Sequence, residues 1–410
     1  MLQPVFVATK HLSDYASIVG RTLIDEIQER AARLAGKRIL HISATAFGGG
    51  VSEILYTLVP LMVDIGLECE WQVIYGREEF FNATKIMHNA LQGNPLDLTD
   101  EQWETWRHYN EINARELSED WDVCIVHDPQ PAALATLVPE KARLWVWRCH
   151  IDLSTPHPTT LARLIPYLEP YPAAVFHIPQ YVPQQMNGRA RIFPPAIDPL
   201  APKNMAFSPE DAHYICEQFG IDVDRPLLCQ ISRFDPWKDP MGVIDAYRIV
   251  KEQMPEAQLA LVGSMATDDP EGWDFFNATI AHADGDPDIH ILNNLNNVGA
   301  IEVNAFQSHC DVAIQKSTRE GFGLTVTEAI WKARPFVGGA VGGIPLQVTD
   351  GETGFLVSTV DECAQRSLEI LQDPGLGKRL GRAGKEAVRQ RFLTPRLLRD
   401  WLRLFEELGT

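Results

Sequence analysis

The chain has 410 residues, with 36 Lys plus Arg against 55 Asp plus Glu, a formal charge of −19 at pH 7. Hydrophobic residues make up 45% and charged residues 22%, which suits a globular enzyme and excludes a disordered, collagen-like or low-complexity chain. The acidic balance argues against nucleic-acid and anionic-membrane partners, which need basic surface. It leaves open where the cations for an anionic ligand would sit. At roughly 100–200 residues per domain, the length suggests two domains. Met1–Lys10 lacks a basic start followed by an apolar core, and the greasiest stretch, Ile54–Leu67, is broken by Thr57, Pro60 and Asp64. Neither a signal peptide nor a spanning helix is expected. The cysteines at 69, 124, 149, 216, 229, 310 and 363 are scattered with no CxxC. They read as buried free thiols of a cytoplasmic protein.

In chain order, residues 1–37 are expected to be helical from about Ser13, as a cap on the first domain or a dimer contact. Arg38–Ser43 predicts a strand, followed by a glycine turn and a helix over Val51–Val59. A strand over Glu70–Tyr75, helices over Glu79–Leu91 and Asp100–Glu116, and strands over Val123–His127 and Leu144–Trp147 follow. Phe193–Asn204 carries four prolines in twelve residues, which ends both helix and central strand. Beyond it the alternation restarts with strands at Pro226–Ile231, Gln258–Val262, Ile289–Leu292, Val312–Gln315 and Phe336–Val337, and a helical tail over Val360–Leu408. Strands alternating with helices imply parallel sheets covered on both faces. The expected class is α/β, two doubly wound Rossmann-like domains with an interdomain cleft. The boundaries are set at 1–193, 194–393 and a closing helix, 394–410. In such sheets ligands bind beyond the carboxyl ends of strands.

Four stretches leave strand ends with chemistry to offer. Gly48-Gly49-Gly50 lets backbone approach a ligand, and the helix start behind it points amides at an anion. It fails the dinucleotide fingerprint, since Glu53 stands where the third glycine belongs, and a tight turn is the plain alternative. Arg233 and Lys238 follow the strand Pro226–Ile231. They suit a diphosphate, unless they merely offset Asp235 and Asp239. Arg319–Glu328 (REGFGLTVTE) combines loop carboxylate Glu320, freed backbone at Gly321 and Gly323, and Glu328 in a helix. Sugar hydroxyls are donors that a carboxylate beside an anion site would accept from, whereas Glu328 has the alternative role of complementing the helix dipole. His127-Asp128 and His150-Ile151-Asp152 end two further strands, and His177 a third, read as structural. No GxSxG or HExxH occurs, and Asp222-Val-Asp224 and Asp286-Pro-Asp288 read as surface turns. A catalytic metal is therefore not expected.

Glu320 and Glu328 around Gly-Phe-Gly-Leu-Thr, with Ser232-Arg233 and Lys238, resemble the retaining GT-B glycosyltransferases of family 4. Ala46–Val51, His88–Asn94, Val126–Ala133, Trp147–Ser154, Asp269–Trp273 and Ala340–Ile344 resemble, within them, the trehalose synthases of the glycosyl-transferring type. The resemblance spans roughly residues 38 to 357. It implies an acceptor-binding first domain, a donor-binding second domain, and reversible transfer of glucose from a nucleoside diphosphate-glucose to free glucose. Arg233 and Lys238 would neutralise the diphosphate. Glu320 would hold hydroxyls of the glucose, Glu328 those of the ribose, and His150 would lie beside the donor sugar. Gly49, Gly50, Phe322, Gly323, Leu324, Thr325 and Asn293 complete the expected donor site. Asp128, Gln130 and Asp152 are expected at the acceptor. The resemblance implies no required cofactor, Mg²⁺ acting as a stimulant at most, and leaves room for a homodimer. Rival readings are a trehalose phosphorylase, a glycerate or glycerol acceptor, a sugar-nucleotide epimerase and a regulatory sugar-binding protein.

Overall fold

The computed structural model describes residues 2–117, 120–265 and 270–410. The chain forms two compact units, Met1–Ala196 with Thr394–Thr410, and Ile197–Leu393.

The first unit is built on strands β1 (Gln3–Pro4), β2 (Arg38–Ser43), β3 (Glu68–Val73), β4 (Trp121–His127), β5 (Ala142–Arg148), β6 (Ala173–Phe176) and β7 (Ala190–Ile192), in spatial order β1-β3-β2-β4-β5-β6-β7. All pair in parallel except β1, which runs antiparallel to β3. Strand β4 is buried from Val123 to His127 without alternation, as a strand covered on both faces must be. Trp71, Trp106, Trp147, Phe80 and Phe176 fill the layers on either side. Helix Asp100–Glu116 opens on a reciprocal Thr99–Gln102 cap, which satisfies two otherwise unpaired amides. Helix Thr394–Glu407 belongs to this unit. It packs on helices Arg21–Arg33 and Gly49–Asp64 and buries Trp401, Leu402, Leu404 and Phe405. Buried Arg396 anchors it by donating to the carbonyls of Pro194 and Pro195 at 2.7 and 3.0 Å.

The second unit carries β8 (Leu227–Ile231), β9 (Gln258–Gly263), β10 (Ile289–Asn293), β11 (Val312–Gln315), β12 (Phe336–Gly339) and β13 (Phe355–Val357), all parallel in the order β10-β9-β8-β11-β12-β13. Strand order reverses at the β2/β4 pair in the first sheet and at β8/β11 in the second. These are the switch points where doubly wound sheets open to ligands.

Two expectations are corrected. The strand expected at Glu70–Tyr75 is Glu68–Val73, because Cys69 and Trp71 turn inward while Glu68 and Glu70 stay exposed. The tail Val360–Leu408 is three helices, Val360–Gln372, Pro374–Arg391 and Thr394–Glu407, broken where prolines 374 and 395 open new first turns. Residues 1–37 are helical from about Ser13, as expected: a 3₁₀ turn over Leu12–Tyr15 and a short helix over Ala16–Val19 lead, across Gly20 at φ 85°, into helix Arg21–Arg33. All seven cysteines are buried and free, as read. No helix among the described residues is long and apolar enough to cross a membrane.

Candidate functional site

In the second unit, the loops after β8 and β11 leave the switch point side by side. Lys238 and Glu320 meet there, Nζ to Oε2 at 2.7 Å, with 14% and 8% of their side chains exposed. Two motifs separated by 82 residues thus form one buried ion pair. Ser317 Oγ donates to the same carboxylate oxygen at 3.3 Å, and Gln230 Nε2 holds the Lys238 carbonyl at 3.0 Å. Arg233 is 65% exposed and pairs with Asp235 at 3.0 Å. Asp239 does not offset Lys238: it caps helix Pro240–Gln253 and pairs with Lys316.

The Phe322–Gly323 turn is clamped from beneath. Gln347 Nε2 donates to the Phe322 carbonyl at 2.5 Å, and its Oε1 accepts from Thr327 Oγ1 at 2.6 Å. With its carbonyls held inward, the turn presents the start of helix Leu324–Trp331, whose first amides no intrahelical carbonyl satisfies. Gly323 sits at φ 81° as the cap of that helix, a conformation natural to glycine. Glycines 339 and 343 let strand ends approach the same loop. A Cβ at Gly339 would lie 2.2 Å from the Ser317 carbonyl oxygen, and one at Gly343 would lie 2.6 Å from Phe322 Cα. Glu328 is 1% exposed and pairs with Lys203 at 3.4 Å. It lies beyond the first turn, which holds no acid, so complementing the helix dipole does not explain it. Asn293 ends β10 but turns back on its own chain, accepting from Leu295 N at 2.8 Å. Of the stretch Asp269–Trp273, Asp269 lies outside the described residues.

In the first unit, Gly48 and Gly49 adopt φ 70° and 80° at the start of helix Gly49–Asp64, with Gly50 in its first turn. Beside them opens a cavity of about 580 Å³, ample for a hexose. Its lining includes Thr45, Ala46, Tyr75, Lys85, His88 and Gln130. The Gly-rich, His88 and Val126–Ala133 stretches therefore converge on one hollow. Buried Gln130 Oε1 has no partner among the described residues, while the Gln130 carbonyl is tied down by Trp106 and Asn110.

Asp128 follows β4 at φ 64°, and its Oδ1 accepts from His150 N at 2.7 Å. Burial pushes its carboxyl up to about 7, against the opposing pull of the His150 amide and Arg148. Asp152 is buried and accepts from Ser154 N at 2.8 Å. His150 bonds through both ring nitrogens, Nε2 to His127 at 2.9 Å and Nδ1 to His177 at 3.4 Å. The ring is committed within the protein, so a hydrogen bond from His150 to a sugar is left to its main chain. His177, read as structural, is part of this arrangement.

Sequence reasoning missed Gln347, Lys203, Ser317 and His41. Gln347, Lys203 and His41 act on partners distant in sequence, and residue type alone carries no signal for that; Ser317 lies three residues before Glu320, where a serine reads as an ordinary loop residue. Among the described residues, no three His, Cys, Asp or Glu are grouped to hold a metal.

A family model for the N-terminal domain of trehalose synthase matches residues 41–183, and one for glycosyl transferases group 1 matches residues 214–387. The chain is 57% identical to a trehalose synthase of Rubrobacter xylanophilus, over 100% of this chain and 99% of that one. It is 47% identical to a trehalose synthase of Pyrococcus horikoshii, over 98% and 97%. Its fold resembles that of a UDP-forming α,α-trehalose-phosphate synthase from Burkholderia xenovorans in complex with glucose-6-phosphate, at TM-score 0.70 and 14% identity, over 90% of this chain and 100% of that one. The two Rossmann-like domains expected of the GT-B class are what the fold shows.

Proposed function

The chain belongs to the trehalose synthase family of glycosyltransferases, and from that premise we propose that it moves glucose from a nucleoside diphosphate-glucose to free glucose with retention, releasing α,α-trehalose and nucleoside diphosphate. The observation that carries this reading is the Lys238–Glu320 pair at the β8/β11 switch point. A cation for phosphate and a carboxylate for hydroxyls, adjacent and largely buried, together complement a sugar phosphate. Arg233, more exposed, adds a guanidinium fork for the diphosphate.

The donor occupies the second unit in this reading, with Phe322–Thr325 amides and Glu328 on its sugar, phosphate and ribose. The acceptor glucose takes the hollow lined by His88 and Gln130 in the first unit, with Asp128 just before Gln130 in sequence and Asp152 as a further acceptor residue. No carboxylate stands out as a nucleophile, which favours same-face substitution. The bond from C1 to the phosphate oxygen breaks with its electron pair going to phosphate. The acceptor oxygen bonds C1, and its proton passes to the departing phosphate. Catalysis then rests on positioning and on cations that stabilise the leaving charge.

The test is a screen of ADP-, UDP- and GDP-glucose against glucose, glycerate and glycerol, with product linkage read by NMR. An α,α-1,1 disaccharide formed from glucose with one of these donors is expected. Products with glycerate or glycerol alone, or cleavage of trehalose by phosphate without nucleoside diphosphate, would overturn the assignment.

A further inference from the structure

Four adjacent strands of the first sheet each contribute one imidazole at or near the carboxyl edge. His41 lies in β2, His127 ends β4, His150 follows β5 and His177 follows β6. His41 Nδ1 bonds His127 Nε2 at 2.9 Å, His127 Nδ1 bonds His150 Nε2 at 2.9 Å, and His150 Nδ1 bonds His177 Nε2 at 3.4 Å. The first two ring pairs are stacked, with centroids 5.2 Å apart in each. A single buried histidine is unremarkable. A continuous run across four strands, with the same Nδ1-to-Nε2 order at every link, calls for a reason.

The chemistry of the run restricts it sharply. Burial lowers the proton affinity of all four rings, His41 to about 3, and the buried Arg148 cation lowers that of His127, His150 and His177 further. A neutral imidazole has one donor and one acceptor nitrogen. If His41 donates from Nδ1, His127 must accept at Nε2 and donate from Nδ1, and so on to His177. If His177 donates from Nε2, every ring carries its proton on Nε2. The four rings therefore share one tautomer, and none changes alone. The His150 main chain is fixed from the other side, its N–H on Asp128 Oδ1 and the Asp128 N–H on the Arg148 carbonyl at 2.8 Å.

We propose that His41, His127 and His177 are positioning residues: as one hydrogen-bonded row they lock the ring orientation and tautomer of His150, and through it the backbone segment that leads to Asp152, a residue read at the acceptor glucose. The role in transfer rests on the function proposed above, but the row itself does not. Locking matters because a displacement of about 1 Å in a positioned group can lower turnover by on the order of 10²-fold.

The test uses two substitutions of the middle ring in the full-length chain. In His127→Asn the amide takes the place of Nδ1, which keeps the link to His150 and breaks that to His41. In His127→Gln it takes the place of Nε2, which keeps His41 and releases His150. Histidine-selective ¹⁵N labelling reads the tautomers directly. In the wild type, all four rings should show one tautomer and none should be an imidazolium at pH 7. His127→Asn, which cuts only His41 from the row, should shift the His150 signals less than His127→Gln does and lower kcat by only a few-fold. His127→Gln should move the His150 shifts and lower kcat by roughly 10- to 100-fold, with the thermal midpoints of the two variants alike. Equal kcat in the two variants would overturn the positioning role. Mixed tautomers in the wild type would overturn the row, and that measurement stands if neither variant folds or if glucose proves not to be the transferred group.

Discussion

Lys238 and Glu320 are each half of a statement that neither makes alone. The pair is largely buried, and removing one partner from such a pair is costlier than replacing both, because the survivor stays charged and unmatched. Lys238→Ala should lower kcat for transfer by about 10²- to 10³-fold, as loss of one donor to a developing anion does elsewhere. It should also lower the thermal midpoint. Glu320→Gln should raise KM for the sugar donor. Near-wild-type kinetics in both would remove the pair from the donor site. The two residues could be nominated from sequence because each follows a strand end in a loop rich in glycine or flanked by acids. Their contact could not, since no local pattern joins positions 82 apart. His41 was invisible for a related reason. In RILHIS it reads as one more inward position, and only the neighbouring strands reveal what it faces.

Among elements, the strand-end loops are held by devices that act across the sheet. Gly339, the last residue of β12, and Gly343 beyond it bring backbone against the loop that carries Ser317, Glu320 and Phe322. Gly343→Ala should force that loop aside, since a new Cβ would meet the Phe322 main chain at 2.6 Å. Overpacking of this kind typically costs about 1–3 kcal/mol. A lower melting temperature and a higher donor KM are expected, and unchanged values of both would show that the loop tolerates displacement. Helix Asp100–Glu116, with its long periodic pattern, and the four-residue apolar strand Val312–Gln315 were legible in the sequence and have the predicted limits. Strands of two or three residues such as β1, β7 and β13 escaped. Two or three residues make less than two periods of alternation, and pairing rather than composition defines such strands.

For the molecule as a whole, the histidine row ties stability to pH. Its rings titrate lower in the fold than in the unfolded chain. As pH falls below about 6.5 the unfolded chain takes up protons that the fold refuses, and stability drops by up to about 1.4 kcal/mol per pH unit per ring. Asp128, raised to about 7 in the fold, works in the opposite sense and offsets one ring. Midpoints of thermal unfolding should therefore fall between pH 7.5 and 5. His41→Asn should flatten that slope by about one proton, and an unchanged slope would mean that His41 is protonated in the fold. The closing helix has a different consequence, one of timing. Residues 394–410 complete the unit that residues 1–196 begin, and Trp401 lies edge-on to His41, 6.2 Å between ring centroids. A ribosome delivers that tryptophan only after the whole of the second unit has emerged. The first unit, begun before the second in translation, is thus finished after it, and the ring row gains its wall only once the second unit has been made.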